Sequence, residues 1–158
     1  MRLAAAIVLV AMSALQALAL DIAPGDAGKA FARTAAAIEI KDIKAEFQQC
    51  TPGDATYLCR FRIVDGVFLV ARGPFETDRV TGLGLYFTNE DDVARSSKML
   101  TIFLTMLDPK ISREERNRII AKLLLGALQD GATELGDTYT ITASYDPSVG
   151  VRILADVK

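Results

Sequence analysis

The residues of this chain most able to recognise another molecule lie in two alternating, strand-like stretches. Arg60 and Arg62 stand two apart in the first, and Thr140, Thr142 and Ser144 alternate in the second, with Arg152 in the run that follows it. Alternate residues of a strand share a face, so each set points one way. Guanidinium groups offer planar, forked N–H donors suited to a carboxylate or phosphate, and hydroxyls add adaptable donors and acceptors around them. If both stretches join one sheet, Arg60, Arg62, Thr140, Thr142 and Arg152 make a face able to bind a small anionic ligand or an acidic partner. The plainer reading of the same residues is an ordinary solvated strand face.

Catalysis finds less support. The chain has no histidine, so a Ser-His or Cys-His nucleophilic pair and a histidine-ligated zinc site are out of reach. No metal site and no cofactor are expected. Asn89-Glu90-Asp91-Asp92 lacks the alternating acidic spacing and central glycine of a calcium loop. Gly82-Leu83-Gly84 lacks the third glycine of a dinucleotide fingerprint and runs along a strand instead of into a helix. Two carboxylates across a cleft suffice for glycoside hydrolysis, which leaves a small carboxylate-dependent hydrolase as the catalytic alternative. The acidic residues nevertheless fall mostly at helix starts, turns and polar strand positions.

Cys50 and Cys59 are the two cysteines, and their meaning depends on the first twenty residues. Arg2 precedes an apolar run from Leu3 to Leu15, and Ala17-Leu18-Ala19 fits a small-x-small cleavage site, which together read as a secretory signal peptide over 1–19. The competing reading is a retained anchor, because the apolar run to Leu20 is about long enough to span a membrane. Export places the thiols in an oxidising compartment, the periplasm or outside the cell, in a bacterial setting, and predicts a Cys50–Cys59 disulfide. Closing so short a loop stabilises by about 2.5–3 kcal/mol in the chain-entropy account. Buried or reactive thiols are the alternative, against which stand the spacing, which is not Cys-x-x-Cys, and the lack of an adjacent basic helix terminus.

Residues 20–158 are read as a single α+β domain with no membrane span. Of the 18 basic residues only Arg2 belongs to the signal segment, so against 20 acidic residues the processed chain is mildly acidic. That balance gives no support to nucleic-acid binding, which asks for a concentrated basic face. With no tryptophan, Phe and Tyr carry the aromatic packing.

The elements that would position these residues follow from periodicity. Ala27, Ala30, Phe31 and Ala35 predict a helix from Asp26 to about Ala37. A half-buried strand is expected over Ile43–Gln49, a type II turn at Thr51-Pro52-Gly53-Asp54, and a second strand over Thr56–Val64. Asp65-Gly66 predicts a two-residue hairpin pairing Val64 with Val67, Ile63 with Phe68, Phe61 with Val70 and Cys59 with Arg72. That register puts Cys59, Phe61, Ile63, Phe68 and Val70 on the core side. A strand from Gly82 to Thr88 follows a loop, with Gly82 and Gly84 both on its non-core side marking a bulge or a close approach.

Two antiparallel helices, Glu90–Leu107 and Arg113–Asp130, come next, capped by Asn89 and by a Ser112/Glu115 capping box and stopped by Gly131. The Arg113-Glu114-Glu115-Arg116-Asn117-Arg118 run is the solvent side of the second. Tyr139, Ile141, Ala143 and Tyr145 alternate in a strand that turns at Asp146-Pro147-Ser148-Val149-Gly150 and is answered by Val151, Ile153, Ala155 and Val157. The order predicts a mainly antiparallel sheet of about six strands, with the N-terminal helix and the helical hairpin packed on one face as a two-layer sandwich. No motif specifies a reaction. The leading expectation is a non-catalytic binding or accessory module using the open sheet face, and a third reading is a subunit of a cell-envelope assembly with an exposed apolar patch at Met99, Ile102 and Met106.

Overall fold

The computed structural model describes residues 21–75, 79–88 and 93–158. The signal segment, the Asn89 cap and the acidic turn Glu90-Asp91-Asp92 lie outside the described residues. After a 3-10 turn at Pro24–Asp26 the chain forms α1 (Ala27–Ala37), β1 (Glu46–Pro52), β2 (Thr56–Val64), β3 (Val67–Pro74), β4 (Gly82–Phe87), α2 (Val93–Leu107), α3 (Arg113–Ala127), β5 (Ala132–Leu135), β6 (Tyr139–Asp146) and β7 (Gly150–Val157). The seven strands make one fully antiparallel sheet in the order β1-β2-β3-β4-β7-β6-β5. The architecture is the expected α+β sandwich with one strand more than anticipated. That strand, β5, is four residues long and contains Ala and Glu, so it carries no β-propensity signal of its own.

The helices share the covered face. Gly28 of α1 lies against the Phe61 ring of β2, and α2 lies between α1 and α3, which packs over β5, β6 and β7. The broad apolar arc of α2 is explained by that central position: Met99, Leu100, Ile102, Phe103, Leu104, Met106 and Leu107 are all buried. The patch expected at Met99, Ile102 and Met106 is therefore core, not surface. The large apolar residues exposed on the described helix layer are Leu125 and Leu128, the latter 61% exposed just past the end of the helix at Ala127. Between the helices, the Asp108 carboxylate accepts from the Lys110 amide at 3.0 Å and Ser112 Oγ from the Glu115 amide at 3.1 Å. Glu115's own carboxylate turns to Arg118, at 2.6 and 2.9 Å, so only the serine half of the capping box is seen.

Three strand-level expectations are corrected. β1 begins at Glu46, not Ile43, and its residues are all exposed, because it is the edge strand beyond the reach of the helices. Ile43 and Ala45 instead pack against the core from the segment before it. Gly53 does not take the positive φ that a type II turn requires at its second central residue; the turn closes with the Gly53 amide donating to Thr56 O at 2.7 Å. The third correction moves a whole strand face. Val64 pairs with Val67 as expected, but only Gly66 of the connecting pair has positive φ, at 77°, and the register shifts between Arg62 and Val64. A two-residue primed turn would need both residues there; the turn with its bulge slips β3 by one position. Phe61 now faces Leu69 and Cys59 faces Ala71. The core side of β3 is thus Val67, Leu69 and Ala71, and Phe68, Val70 and Arg72 are turned to the open face, since a slip of one residue reverses every side chain.

Cys50 and Cys59 are directly opposite across β1 and β2 and form a disulfide, so both expected thiols are joined. The link fastens the edge strand to its neighbour where Phe47, edge-on to Phe61 at 5.7 Å, provides the other attachment. The C-terminal hairpin has the anticipated facing: Tyr139 pairs with Val157 through Tyr145 with Val151, with Tyr145 lying on the core side but 43% exposed.

Candidate functional site: the uncovered sheet face

Pairing across the sheet arranges the outward residues in three rows. Leu58, Arg72, Gly82, Asp156 and Thr140 make one; Arg60, Val70, Gly84, Leu154 and Thr142 the next; Arg62, Phe68, Tyr86, Arg152 and Ser144 the third. The five residues singled out from the sequence, Arg60, Arg62, Thr140, Thr142 and Arg152, therefore share one face. They do not converge. β2 and β6 are four strand spacings apart, about 19 Å, so the arginine pair and the threonine pair stand at opposite banks of the face.

The charged groups differ in what engages them. The Arg62 guanidinium donates to Glu46 Oε2 from Nη2 at 2.5 Å and from Nε at 3.1 Å, and this hydrogen-bonded carboxylate raises its pKa. Arg152 reaches Asp146 at 3.5 Å, while its buried Nε finds no hydrogen-bond partner among the described residues. The Asp146 carboxyl is held below its ordinary range first by the Ser148 hydroxyl and amide, at 2.6 and 2.9 Å, with Arg152 adding to the effect. Arg72 pairs with Asp156 across Gly82. Arg60 lies flat over the Phe68 ring, 3.9 Å from its centroid, and has no ion pair among the described residues. That stacking exists only because the bulge turns Phe68 outward.

The middle of the face is hollow. Two successive outward positions of the central strand β4 are Gly82 and Gly84, and the space they leave is part of a trough of about 260 Å³ lined by Leu58, Val70, Tyr86, Leu154, Arg72 and Asp156, with Thr142 at its β6 side. Strand pairing on both sides of β4 is regular, so the glycines mark no bulge; of the two readings drawn from the sequence it is the close approach that is seen, made by side chains and not by backbone. They make room. A Cβ on Gly84 would stand 2.9 Å from the Tyr86 ring and 3.0 Å from a Leu154 methyl, and one on Gly82 would collide with the Arg72 side chain. Leu58 and Leu154 remain 45% and 37% exposed at the trough walls.

Sequence reasoning put Gly82, Gly84 and Thr142 on the outer side but missed Val70 and Arg72, and with them the trough. The predicted hairpin register placed Arg72 opposite Cys59 on the core side, and an arginine at a core position was the available warning that the register was wrong. Chemically, the trough offers an apolar floor with one ion pair at its rim. Asp156 is the single carboxylate of its lining, whereas carboxylate-dependent hydrolysis needs two. No group of three or more metal-ligating side chains occurs among the described residues. In comparisons with known proteins, the chain matches no family model, and no curated protein or solved structure shows significant similarity to it.

Proposed function

We propose that the protein is a small exported bacterial binding or accessory module, without catalysis, whose uncovered sheet face takes a small anionic ligand or another protein of the cell envelope. The observation that carries this reading is the separation of the two faces: three helices cover one, and the other keeps four arginines, Arg60, Arg62, Arg72 and Arg152, around an apolar trough. A chain of net charge −2 thus concentrates guanidinium groups on the one broad surface its own elements leave free. Export is supported by the N-terminal pattern of Arg2, apolar run and Ala17-Leu18-Ala19, and by the cystine. No helix of the described residues is long and apolar enough to cross a membrane.

The test is crosslinking in living cells. Wild type is expected to capture a partner or ligand that the triple variant Arg60→Ala, Arg62→Ala, Arg152→Ala loses, with its urea unfolding midpoint close to that of wild type. Unchanged capture by the triple variant overturns the open face as the binding surface.

A further inference from the structure

The geometry points to a ligand class for the trough over Gly82 and Gly84: a small amphiphilic carboxylate, its apolar body on Val70, Leu58 and Leu154 and its carboxylate on the Arg72 guanidinium. This rests on reading the open face as a binding surface and gives that surface a chemistry. The volume, about 260 Å³, lies just under the roughly 300–1,000 Å³ of drug-sized ligand pockets, which suits one ring or a short chain with a single polar head. The walls are apolar and partly bare, because Leu58 and Leu154 keep surface that nothing among the described residues covers. Filling the trough removes that surface from water, the term that drives binding of apolar bodies.

The sign of the head group follows from the charges around the rim. Arg72 is bonded through Nη2 to one oxygen of Asp156, both side chains are more than half exposed, and a guanidinium has five N–H donors in a planar fork. A ligand carboxylate can therefore join or displace Asp156 without leaving Arg72 uncompensated. An ammonium ligand would have to approach Asp156 past Arg72 on a face that also holds Arg60, Arg62 and Arg152, against carboxylates, among the described residues paired to those arginines, at Asp156, Glu46 and Asp146. Arg60, which has no ion pair and stands in the row that crosses Gly84, adds long-range attraction for an anion. Tyr86, leaning over Gly84, closes the other end of the trough and sets the length of the body that fits.

Three probes with the same phenylethyl body distinguish the charge from the shape: 3-phenylpropanoate, its amide, and 2-phenylethylamine, titrated into the exported protein with calorimetry and amide NMR shifts. The carboxylate is expected to bind at least ten-fold more tightly than the amide, with the largest shifts in β4 and at Leu154. Arg72→Gln should remove that preference while leaving the amide's affinity unchanged, and Leu154→Ala, a surface change with little bearing on folding, should weaken both. Gly84→Leu should abolish both in a protein that still shows the wild-type pattern of shifts outside the trough. Equal affinity for acid and amide, tighter binding of the amine, or shifts confined to another surface each overturn the inference. If the arginine triple variant loses its crosslinked partner while phenylpropanoate fails to bind, only the ligand class falls and the open-face reading stands.

Discussion

Each strand of the sheet offers one row of side chains to the helices and the alternate row to solvent, and the two rows solve different problems. The covered row, with Leu69, Leu85, Ile141 and Ile153 at its centre, meets α2 and α3 in a dry interior where every methyl group has neighbours. The open row places glycine where the covered row places leucine: Gly84 alternates with Leu83 and Leu85 on β4, and arginine or threonine stands behind Phe61 and Ile141. Volume is conserved on one side of the sheet and removed on the other. Stability is thereby concentrated in the helix-covered layer, and the open layer is free to carry charge and a cavity at little cost to folding.

That contrast can be broken most severely from inside. Leu104 of α2 is fully buried, and Leu104→Ala is expected to lower unfolding free energy by about 2–5 kcal/mol, measured by urea denaturation. A loss below about 1 kcal/mol would mean that the helix layer is not where stability resides. Next comes the edge, where the covered face runs out of helices. Cys50→Ala should cost about 2.5–3 kcal/mol, and reductant should bring wild type down to the same midpoint without further affecting the variant. The smallest effect lies where β5 is clamped under α3. Glu134, 12% exposed, accepts from Lys122 at 2.7 Å and Arg118 at 2.9 Å. Those bonds, Lys122's first, hold its carboxyl below the ordinary 4.5 against the opposing effect of burial. A depressed folded-state value means stabilisation that is present above about pH 4.5 and lost as the pH falls through that lower value. Glu134→Gln should cost about 1 kcal/mol at pH 7, the cationic ends of both partners being half exposed. Its difference from wild type should vanish in the acid limb of a pH–stability profile.

Much of the framework was legible because it is written in local signals. The helices announce themselves by stripes such as Leu100, Phe103, Leu104 and Leu107, and the Ser112 cap is visible as a serine three residues before Glu115. The C-terminal hairpin was readable down to which side chains share its core face, because Tyr139 to Asp146 and Gly150 to Val157 both alternate cleanly around a proline-containing turn. The β2–β3 hairpin was not, although Asp65-Gly66 is a strong turn signal. A turn dipeptide fixes where the chain reverses; whether a bulge follows depends on which register lets Leu69 and Ala71 fill the space beneath α1 and α2 while Arg72 escapes it. β5 was illegible for a different reason: four residues are too few to show an alternation, and its strand conformation comes from pairing with β6, five to eleven residues further on, and from Glu134 reaching α3.

By itself, then, the sequence determined the α+β class, the helical pair, the cystine and, within each hairpin, which side Arg60 and Arg62 or Thr140, Thr142 and Arg152 take, because each depends on a short period or a chemical environment; that the two sets share one sheet face was decided by the pairing of β4 with β7. Tertiary structure alone decided that this face has a hollow centre. The trough needs β7 to land beside β4, so that Leu154 and Asp156 stand across Gly82 and Gly84 from Val70 and Arg72, and it needs the one-residue slip at Ile63 that brings Val70 and Arg72 outward. The first joins β4 to β7, segments some 64 to 74 residues apart in the chain, and the second depends on how β3 meets the helix layer, so neither follows from a turn dipeptide or an alternation alone.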